Sequence, residues 1–377
     1  MRVKVDAGRH MRVECPVLIP LNPSDRDFPT AVKSTITGKV FPCQLVEERD
    51  GRRLLVFVID FLPAGKVDIL EGVDYDVAGG VEVKRDDYKV DFLSDGNLIT
   101  TFNFSGEYSK PFFFPVLGPY NSHITRSFPM AVVEGEQADH PHHRSMWTAH
   151  GDVNGVDFWS EGEGCGRQSH VAFLDLEGGP VLGKMTSLVD WLDNGGERVL
   201  LESKKVVFYK TTHHLKIIDY EISLFAVEKD ARFGDTKEGG LLSVRMATRL
   251  CEDMGGRIEN SFGGIGEQET WGRRAHWCNY SGPVDDEVLG IAILDHPSNP
   301  RHPTYWHVRS YGLFAANPFG ISAFTGNDRV SGELLLKAGT KVTFRYRVVL
   351  HLGYAWEANI PSRFIDYVFP PRVELET

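Results

Sequence analysis

The sequence predicts an all-β protein, and three observations carry that prediction. Apolar residues alternate with polar ones along many segments, as in strands that bury one face. Turn dipeptides such as Asp50-Gly51, Asp95-Gly96 and Asn194-Gly195 separate these segments. The 38 glycines and 20 prolines are spread along the whole chain, and no long segment shows the period of an amphipathic helix. We therefore expect a sandwich or several packed sheets, with helix as a minor component.

A few segments show the alternation most clearly. Along Lys341–His351 the apolar residues fall on one face, and the charged or polar residues mostly fall on the other. The segments Ile218–Ala226 and Leu98–Phe104 repeat this pattern. The segment Val81–Phe92 is predicted to be a hairpin that turns around Lys84–Lys89.

Two structural units are expected. Residues 1–75 contain several strand-like runs and end near Gly72, which suggests a small N-terminal β-sandwich. These runs are Met11–Leu21, Thr30–Val40 and Arg52–Leu62. From Val81 onward no linker-like composition interrupts the strands, so residues 76–377 are predicted to form one large β domain.

Composition limits the classes of partner and compartment. Lys and Arg number 41 and Asp and Glu 52, which gives a net charge of −11 and argues against nucleic acid or an anionic membrane as a partner. The longest apolar stretch, Leu54–Leu62, is interrupted by Asp60 and is much shorter than the roughly 20 residues of a spanning helix. The N-terminus has no signal-like apolar core, and the five cysteines form no CxxC pair. A reduced, cytoplasmic setting is therefore expected.

Histidines concentrate in one segment. Four of the 14 in the chain lie within eleven residues, namely His140, His142, His143 and His150. Imidazoles at this density suit acid–base catalysis, a polar ligand or a divalent metal ion, for which these four are the candidate ligands. Pro141 cannot donate to a strand ladder, so a loop or sheet edge is predicted; if the segment is extended, His140 and His142 share one side. The alternative is a group of surface histidines that hydrogen-bond one another.

Two further segments carry candidate residues. Trp159 follows the turn Asn154-Gly155 and is a candidate to stack on a sugar ring, although a core tryptophan beside a tight turn is an equal alternative. Lys237 and Glu238 precede two glycines and a strand that carries Arg245. A cation beside a carboxylate tunes the pKa of that carboxylate for acid–base work. The alternative for this second segment is a solvated charged turn.

A proline-rich loop completes the set of candidates. Three prolines in seven residues stiffen the stretch from Asp295 to Tyr311, and such loops position side chains. Its hydrogen-bond donors and aromatic rings suit the binding of a polyol or a carboxylate. The candidate residues are His302, Trp306, Arg309 and Tyr311. The alternative is an ordered surface loop without a binding role. Walker A, GxSxG and GxGxxG motifs are missing from the sequence, so nucleotide and serine-hydrolase functions have no support.

These blocks resemble a family of soluble bacterial proteins that are labelled methane oxygenase, PmoA-like. The resemblance covers roughly residues 80–360. The first block is His140-Pro141-His142-His143-Arg144, then Trp147, His150 to Gly155, and Phe158-Trp159. The further blocks are Gly234 to Gly240, the Asp295–Arg309 loop, Tyr311-Gly312 and Asn317 to Gly320.

The resemblance implies a β-rich fold similar to galactose mutarotase-like supersandwiches and a role in carbohydrate catabolism. It does not imply methane oxidation. The methane monooxygenase subunit behind the family label is an integral membrane protein, and this sequence has no segment that predicts a membrane span.

The leading hypothesis is a cytoplasmic carbohydrate-active enzyme of lyase, hydrolase or epimerase type, acting on a sugar or oxidised sugar. The four histidines supply acid–base groups or metal ligands, and Glu238 is the partner carboxylate. Lys237 and Arg245 stabilise an oxyanion or a substrate carboxylate in this hypothesis. The other expected substrate-binding residues are Trp159, His302, Trp306, Arg309 and Tyr311. The alternatives are a non-catalytic carbohydrate-binding protein and a structural β protein, and the enzyme hypothesis requires that these segments share one site.

Overall fold

Two eight-stranded antiparallel sheets form the body of the protein in a computed structural model, which describes residues 1–22 and 27–376. The prediction of an all-β sandwich fold with little helix is confirmed. The strands of the first half are β1 (Arg2–Asp6), β2 (Arg12–Pro20), β3 (Ala31–Ser34), β4 (Val40–Pro42), β5 (Gln44–Glu47), β6 (Arg53–Leu62), β7 (Val67–Val73), β8 (Val81–Arg85), β9 (Lys89–Ser94), β10 (Asn97–Asn103), β11 (Phe112–Val116), β12 (Met146–His150), β13 (Arg167–Glu177) and β14 (Leu182–Leu192).

The second half of the chain continues in strands, with three short α-helices. The strands are β15 (Arg198–Tyr209), β16 (Leu215–Ala226), β17 (Ala231–Phe233), β18 (Gly239–Arg245), β19 (Arg257–Asn260), β20 (Trp277–Val284), β21 (Glu287–Asp295), β22 (Tyr305–Val308), β23 (Leu313–Asn317), β24 (Leu334–Leu336), β25 (Thr340–Leu352) and β26 (Arg372–Glu376). The α-helices are α1 (Gly266–Thr270), α2 (Ile321–Thr325) and α3 (Ile360–Val368). None of the helices in the described ranges is long and apolar enough to cross a membrane.

The two large sheets pack face to face. The front sheet has the strand order β22-β23-β18-β12-β11-β10-β9-β8, and the middle sheet has the order β13-β14-β15-β16-β25-β21-β20-β19. Phe92 of the front sheet stacks on Phe208 of the middle sheet with ring centroids 4.2 Å apart, and Phe113 meets Tyr220 in the same core. Apolar and polar residues alternate along these strands because one face of each strand is buried between the two sheets.

The individual strand predictions hold at the most regular segments. The apolar face predicted along Lys341–His351 belongs to β25, which pairs with β16 over its whole length. The predicted hairpin is formed by β8 and β9, with Arg85 opposite Val90 next to the turn.

A small sandwich at the N-terminus packs beneath the middle sheet. Its sheets have the orders β26-β1-β7-β3-β4 and β2-β6-β5, and its core contains Val5, Val17 and Phe57. Strand β26 comes from the other end of the chain and pairs with β1, with Val5 opposite Val373. The division of the chain near residue 75 stays a prediction, while the last strand lies in the small sandwich and not in the large one.

The middle sheet is covered on both faces. Its outer face packs on Val46 and Val56 of the small sandwich and on Ile360 of α3. The front sheet instead carries loops and a separate aromatic cluster on its outer face, including Trp147 and Trp159. The outer face of the front sheet is therefore the place where polar side chains from several loops can meet.

A buried ion pair ties the small sandwich to α3. Arg12 of β2 and Asp366 of α3 are 2.8 Å apart, and their side chains are 4% and 6% exposed. Arg12 also donates to the backbone carbonyls of Ala7 and Phe369. Burial raises the pKa of Asp366, and Arg12 opposes this effect.

We predict that Arg12→Met lowers the free energy of unfolding by about 3–5 kcal/mol, because it leaves a buried carboxylate without its cation. The double variant Arg12→Met/Asp366→Leu should recover most of the loss, since no unpaired charge remains. Urea denaturation at pH 7 measures both variants. A double variant as unstable as the single one would show that the loss has another cause.

Candidate functional site

Chain segments that are far apart in sequence meet on the outer face of the front sheet. The ring of His140 lies parallel to that of Tyr311, with centroids 5.3 Å apart and planes inclined by 5°. Arg245 of β18 places its Nη1 atom 3.1 Å from Nδ1 of His143. The structure thus brings part of the histidine segment together with part of the segment after the proline-rich loop.

The histidine segment is a tight turn and not an extended strand. His140 has a left-handed backbone, with φ of 41°, and its carbonyl accepts a hydrogen bond from the amide of His143. The segment is therefore a loop before β12, as predicted from Pro141, and the extended arrangement does not occur. The rings of His140, His142 and His143 pack directly against one another. Their centroids are 4.8 Å apart for His140 and His143 and 4.5 Å apart for His142 and His143.

Two buried guanidinium groups hold this turn to the sheet. Arg126 and Arg245 both donate to Oδ1 of Asp139, at 2.5 and 2.6 Å. Arg126 also donates to the carbonyl of His140, and Arg245 donates to the side chain of Gln137. Burial opposes ionisation of Asp139, but the guanidinium groups hold its pKa below the usual value. Arg245 is therefore a positioning residue, because its guanidinium group is hydrogen-bonded to residues of the turn.

Arg245 also determines the tautomer of His143. A guanidinium group can only donate, so Nδ1 of His143 accepts and the ring proton resides on Nε2. Burial lowers the pKa of His143 strongly, and the neighbouring His142 and Arg245 lower it further. His143 is thus a neutral ring near pH 7, packed at centroid distances of 5.4 and 5.5 Å from Trp147 and Trp159.

Trp159 is held in place by an ionic network that the sequence did not reveal. Lys110 donates to the carbonyl of Trp159 at 2.6 Å and lies 3.4 Å from Glu161, which also pairs with Arg144. Burial lowers the pKa of Lys110 to about 8, and Glu161 opposes the shift. The side chain of Trp159 is itself buried. Its position therefore agrees with the alternative of a core tryptophan beside a tight turn. No local pattern connects Lys110 with Glu161, which explains why neither was a candidate.

His142 is the least constrained of the three clustered histidines. Its ring is half-buried and forms no hydrogen bond within the part of the chain that the structure describes. Burial lowers its pKa to about 4, the charges of Lys110 and His140 act in the same direction, and those of Glu161 and Glu238 oppose them. At pH 7 it offers one N–H donor and one nitrogen lone pair.

The Lys237-Glu238 turn lies beside these rings. Asn317 at the end of β23 donates to the carbonyls of Thr236 and Lys237, at 3.0 and 3.1 Å, which holds the turn against the sheet. Lys237 and Glu238 form an ion pair, and their side chains are 45% and 43% exposed. The turn therefore carries a solvated pair of charges at the edge of the site. This matches the solvated charged turn that the sequence left open as the alternative.

Glu238 exerts its charge on three rings of the site. Burial shifts the pKa values of His142, His307 and Tyr311, and the negative charge of Glu238 raises the pKa of each. The positive charge of Arg309 acts on two of these rings and lowers the pKa values of His307 and Tyr311. One carboxylate thus neighbours two imidazoles and a phenol.

His307 is a site residue that the sequence pattern did not identify. Sheet register places Trp147, Ser243, Ala315 and His307 opposite one another on four adjacent strands. His307 is 2% exposed, burial lowers its pKa to about 4, and the nearby charges of Glu238 and Lys237 act on it in opposite directions. The strand β22 alternates, so His307 points towards the site where Trp306 had been expected.

Two predicted residues point into the core instead. Trp306 is fully buried, packs near Phe314, and donates its indole N–H to the carbonyl of Ala275 at 3.0 Å. His150 is also fully buried, and its ring lies 4.7 Å from that of Phe319. The structure does not bring these two side chains to the site formed by the other residues.

His302 belongs to a different group of side chains. Its Nδ1 atom is 2.7 Å from Oδ2 of the buried Asp295, and its Nε2 atom is 3.0 Å from Nδ1 of His276. His276 in turn packs against Phe364 of α3, beside the middle sheet. His302 therefore lies with α3, away from Glu238 and the histidine turn.

Arg309 borders a polar cavity next to the site. It pairs with Glu267 at 2.8 Å and lies over the ring of Trp271. The cavity has a volume of about 610 Å³, and its lining includes Glu252, Glu267 and Trp271. The guanidinium group is one-third exposed, so it remains accessible from this side.

The donor set does not fit a divalent metal ion. Among residues 1–22 and 27–376 there is no group of three or more His, Cys, Asp or Glu side chains that could hold one. The Nδ1 atom of His143 faces a guanidinium cation, and His150 points to the other side of the sheet. We therefore derive the chemistry of the site from its side chains.

The fold and site define an all-β sandwich protein with a histidine- and tryptophan-rich site on one large sheet. Residues 89–364 match the model of DUF6807, a family of unknown function, and the chain belongs to this family. No curated protein matches the sequence significantly. The matched range contains all four sequence blocks described above.

The buried imidazoles predict a loss of stability in mild acid. Burial lowers the pKa of His150 and of His307 from 6.5 to about 4. The unfolded chain binds protons first as the pH falls below about 6.5, so the free energy of unfolding should decrease between about pH 6.5 and 4, by up to about 3 kcal/mol for each ring. Urea denaturation at pH 7.5, 6 and 5 measures the decrease. His150→Gln should make the decrease smaller, since His307 still contributes, and a pH-independent stability of the unsubstituted protein would contradict the assignment.

The contact with Arg245 predicts one tautomer for His143. Long-range ¹⁵N NMR of the imidazoles should show an unprotonated Nδ1 and a protonated Nε2 for this residue at pH 7, and the same state at pH 5. Detection of a protonated Nδ1 in the folded protein would rule out the arrangement.

Proposed function

We propose that this protein is a carbohydrate-active enzyme that performs acid–base chemistry on a sugar or an oxidised sugar. The observation that carries the proposal is that His142 and Tyr311 both pack against His140 above a buried aromatic cluster, with Glu238 close enough for its charge to act on both rings. The three residues come from three distant parts of the sequence, and each can exchange or hold a proton.

The three groups have different protonation states near pH 7. The carboxylate of Glu238 is paired with Lys237 and accepts protons or hydrogen bonds. His142 is neutral, because burial lowers its pKa to about 4, and its ring nitrogens are not engaged elsewhere in the described chain. Burial raises the pKa of Tyr311, so its phenol keeps the proton and is a donor. A base, a neutral imidazole and a donor are the groups that general acid–base catalysis requires.

The surroundings suit a sugar ring. The ring of His140 stacks on the rings of both His143 and Tyr311 and is still partly exposed, so its Nε2 atom can exchange a hydrogen bond with a sugar hydroxyl at the solvent side. Lys237 and Arg309 lie at the edge and can bind hydroxyl or carboxylate oxygens. A lyase, a hydrolase and an epimerase each transfer protons at a ring carbon or a glycosidic oxygen, so this one set of groups serves all three reaction types.

The resemblance of the sequence blocks to the PmoA-like family supports the same direction. It implies a mutarotase-like supersandwich and a role in carbohydrate catabolism, and therefore a small-molecule carbohydrate as the ligand. Methane oxidation is not part of the proposal.

The proposal is tested with a library of glycosides and 3-keto-glycosides and mass spectrometry of the products. Glu238→Gln and the double variant His142→Ala/His143→Ala should lower turnover at least about a hundredfold, since each removes a group that transfers or relays a proton. Glu228→Gln is the matched control, because this carboxylate is exposed and pairs with Arg198 on the middle sheet. Unchanged turnover in both site variants would show that the assigned groups are not catalytic.

A non-catalytic carbohydrate-binding protein is the second candidate. It is favoured by the pKa values of about 4 at His142 and His307, which lie well below the pH at which an imidazole is an efficient proton donor. In that case the same library yields ligands that raise the melting temperature without forming product.

A further inference from the structure

We infer that the ligand of this site carries a carboxylate group, so that its substrate class is a sugar acid and not a neutral sugar. The sugar part of this inference rests on the proposed function; the carboxylate part rests on hydrogen-bond donors that are buried beneath His142 and find no acceptor.

Three buried side chains each leave a donor unpaired. The Nε1 atoms of Trp147 and Trp159 and the Nε atom of Arg245 have no hydrogen-bond partner among the described residues. All three side chains are at least 99% buried. Indole and guanidinium nitrogens only donate, so each of these atoms needs an acceptor.

His143 lies at the same place. Its Nδ1 atom accepts from Arg245, so its Nε2 atom carries the proton and can donate to a ligand. The rings of Trp147 and Trp159 are 5.4 Å apart, and His143 packs on both. The two unpaired indole donors therefore belong to rings that pack on this imidazole, and the third belongs to Arg245, whose Nη1 atom contacts the same ring.

Unpaired buried donors are rare in folded proteins, because the cost of removing them from water is not compensated. Three such donors on residues that contact one imidazole therefore indicate a binding partner that is rich in acceptors. A carboxylate offers two oxygens and several lone pairs and brings no donor. A sugar hydroxyl brings a donor of its own together with its acceptor lone pairs. A neutral sugar therefore satisfies the unpaired donors of the protein less well than a carboxylate does.

The local charge favours the same ligand. Arg126 and Arg245 share one oxygen of Asp139, so two buried cations bond to a single carboxylate. The buried ammonium group of Lys110 lies nearby, and it shares the single carboxylate of Glu161 with Arg144. A carboxylate from the ligand would add a negative charge beside two pairs of cations that each share one carboxylate.

His142 is the side chain that must move to admit the ligand. Its ring lies 6.3 Å from that of Trp159 and 4.5 Å from that of His143, and it is held by ring contacts only. Rotation of this one side chain towards solvent breaks no hydrogen bond of the described structure. The donors can therefore be reached without unfolding the turn that Arg126 and Arg245 hold.

The test compares matched pairs of sugars on the ¹⁵N-tryptophan-labelled protein, namely glucuronate with glucose and galacturonate with galactose. We expect the uronates to bind at least about tenfold more tightly and to shift the indole N–H resonances of Trp147 and Trp159. Trp147→Phe and Trp159→Phe assign these two of the seven indole signals, and each should weaken uronate binding about tenfold by removing one donor to a charged group. Trp356→Phe, at an exposed tryptophan before α3, is the control and should change nothing.

The unsubstituted protein gives a result even if a tryptophan variant does not fold. The inference is overturned if neither uronate binds, if neutral sugars bind equally well, or if a uronate binds without shifting these resonances. Turnover is measured in parallel on all four sugars and on the glycoside library. Turnover of neutral sugars without uronate binding overturns the carboxylate inference and leaves the enzyme proposal standing. Uronate binding with the expected shifts but without turnover supports the carboxylate inference and overturns the enzyme proposal.

Discussion

The shared carboxylate of Asp139 is the contact on which the rest of the site depends. It joins Arg126, which precedes the histidine turn, to Arg245, which lies on a strand of the front sheet. Because both guanidinium groups are buried, the turn is fixed to the sheet and not left to solvent. The position of His143 over the tryptophans and its tautomer follow from the same contact.

The two large sheets differ in what covers their outer faces. The middle sheet packs with one face on the front sheet and with the other on the small sandwich and α3. The front sheet buries only its inner face in the shared core, and its outer face carries the aromatic cluster with the loops above it. Polar groups can gather there because strand alternation leaves every second residue free of the core.

The sequence predicted those features that depend on neighbouring residues. Alternation in the long strands β16 and β25 identified the fold class, since a strand of this length shows its period clearly. The clustering of His140, His142 and His143 was also visible, because these residues are adjacent in the chain. Fold and histidine cluster were thus within the reach of local pattern.

The other site residues depend on information that local pattern does not contain. Strand β22 has only four residues, too few to show which of Trp306 and His307 faces the core. His302 and Arg309 are seven residues apart, yet their partners Asp295 and Glu267 hold them in separate places. Long-range contacts set these outcomes, and a single sequence gives no measure of them.

The pairing of the first strand with the last has a mechanical consequence. Arg2 lies opposite Glu376, so the two ends of the described chain leave the small sandwich side by side. A force that pulls these ends apart loads the hydrogen bonds between β1 and β26 one after another, like a zipper. The front sheet bears no load until that pair has separated, and the histidine turn is shielded from tension applied at the ends.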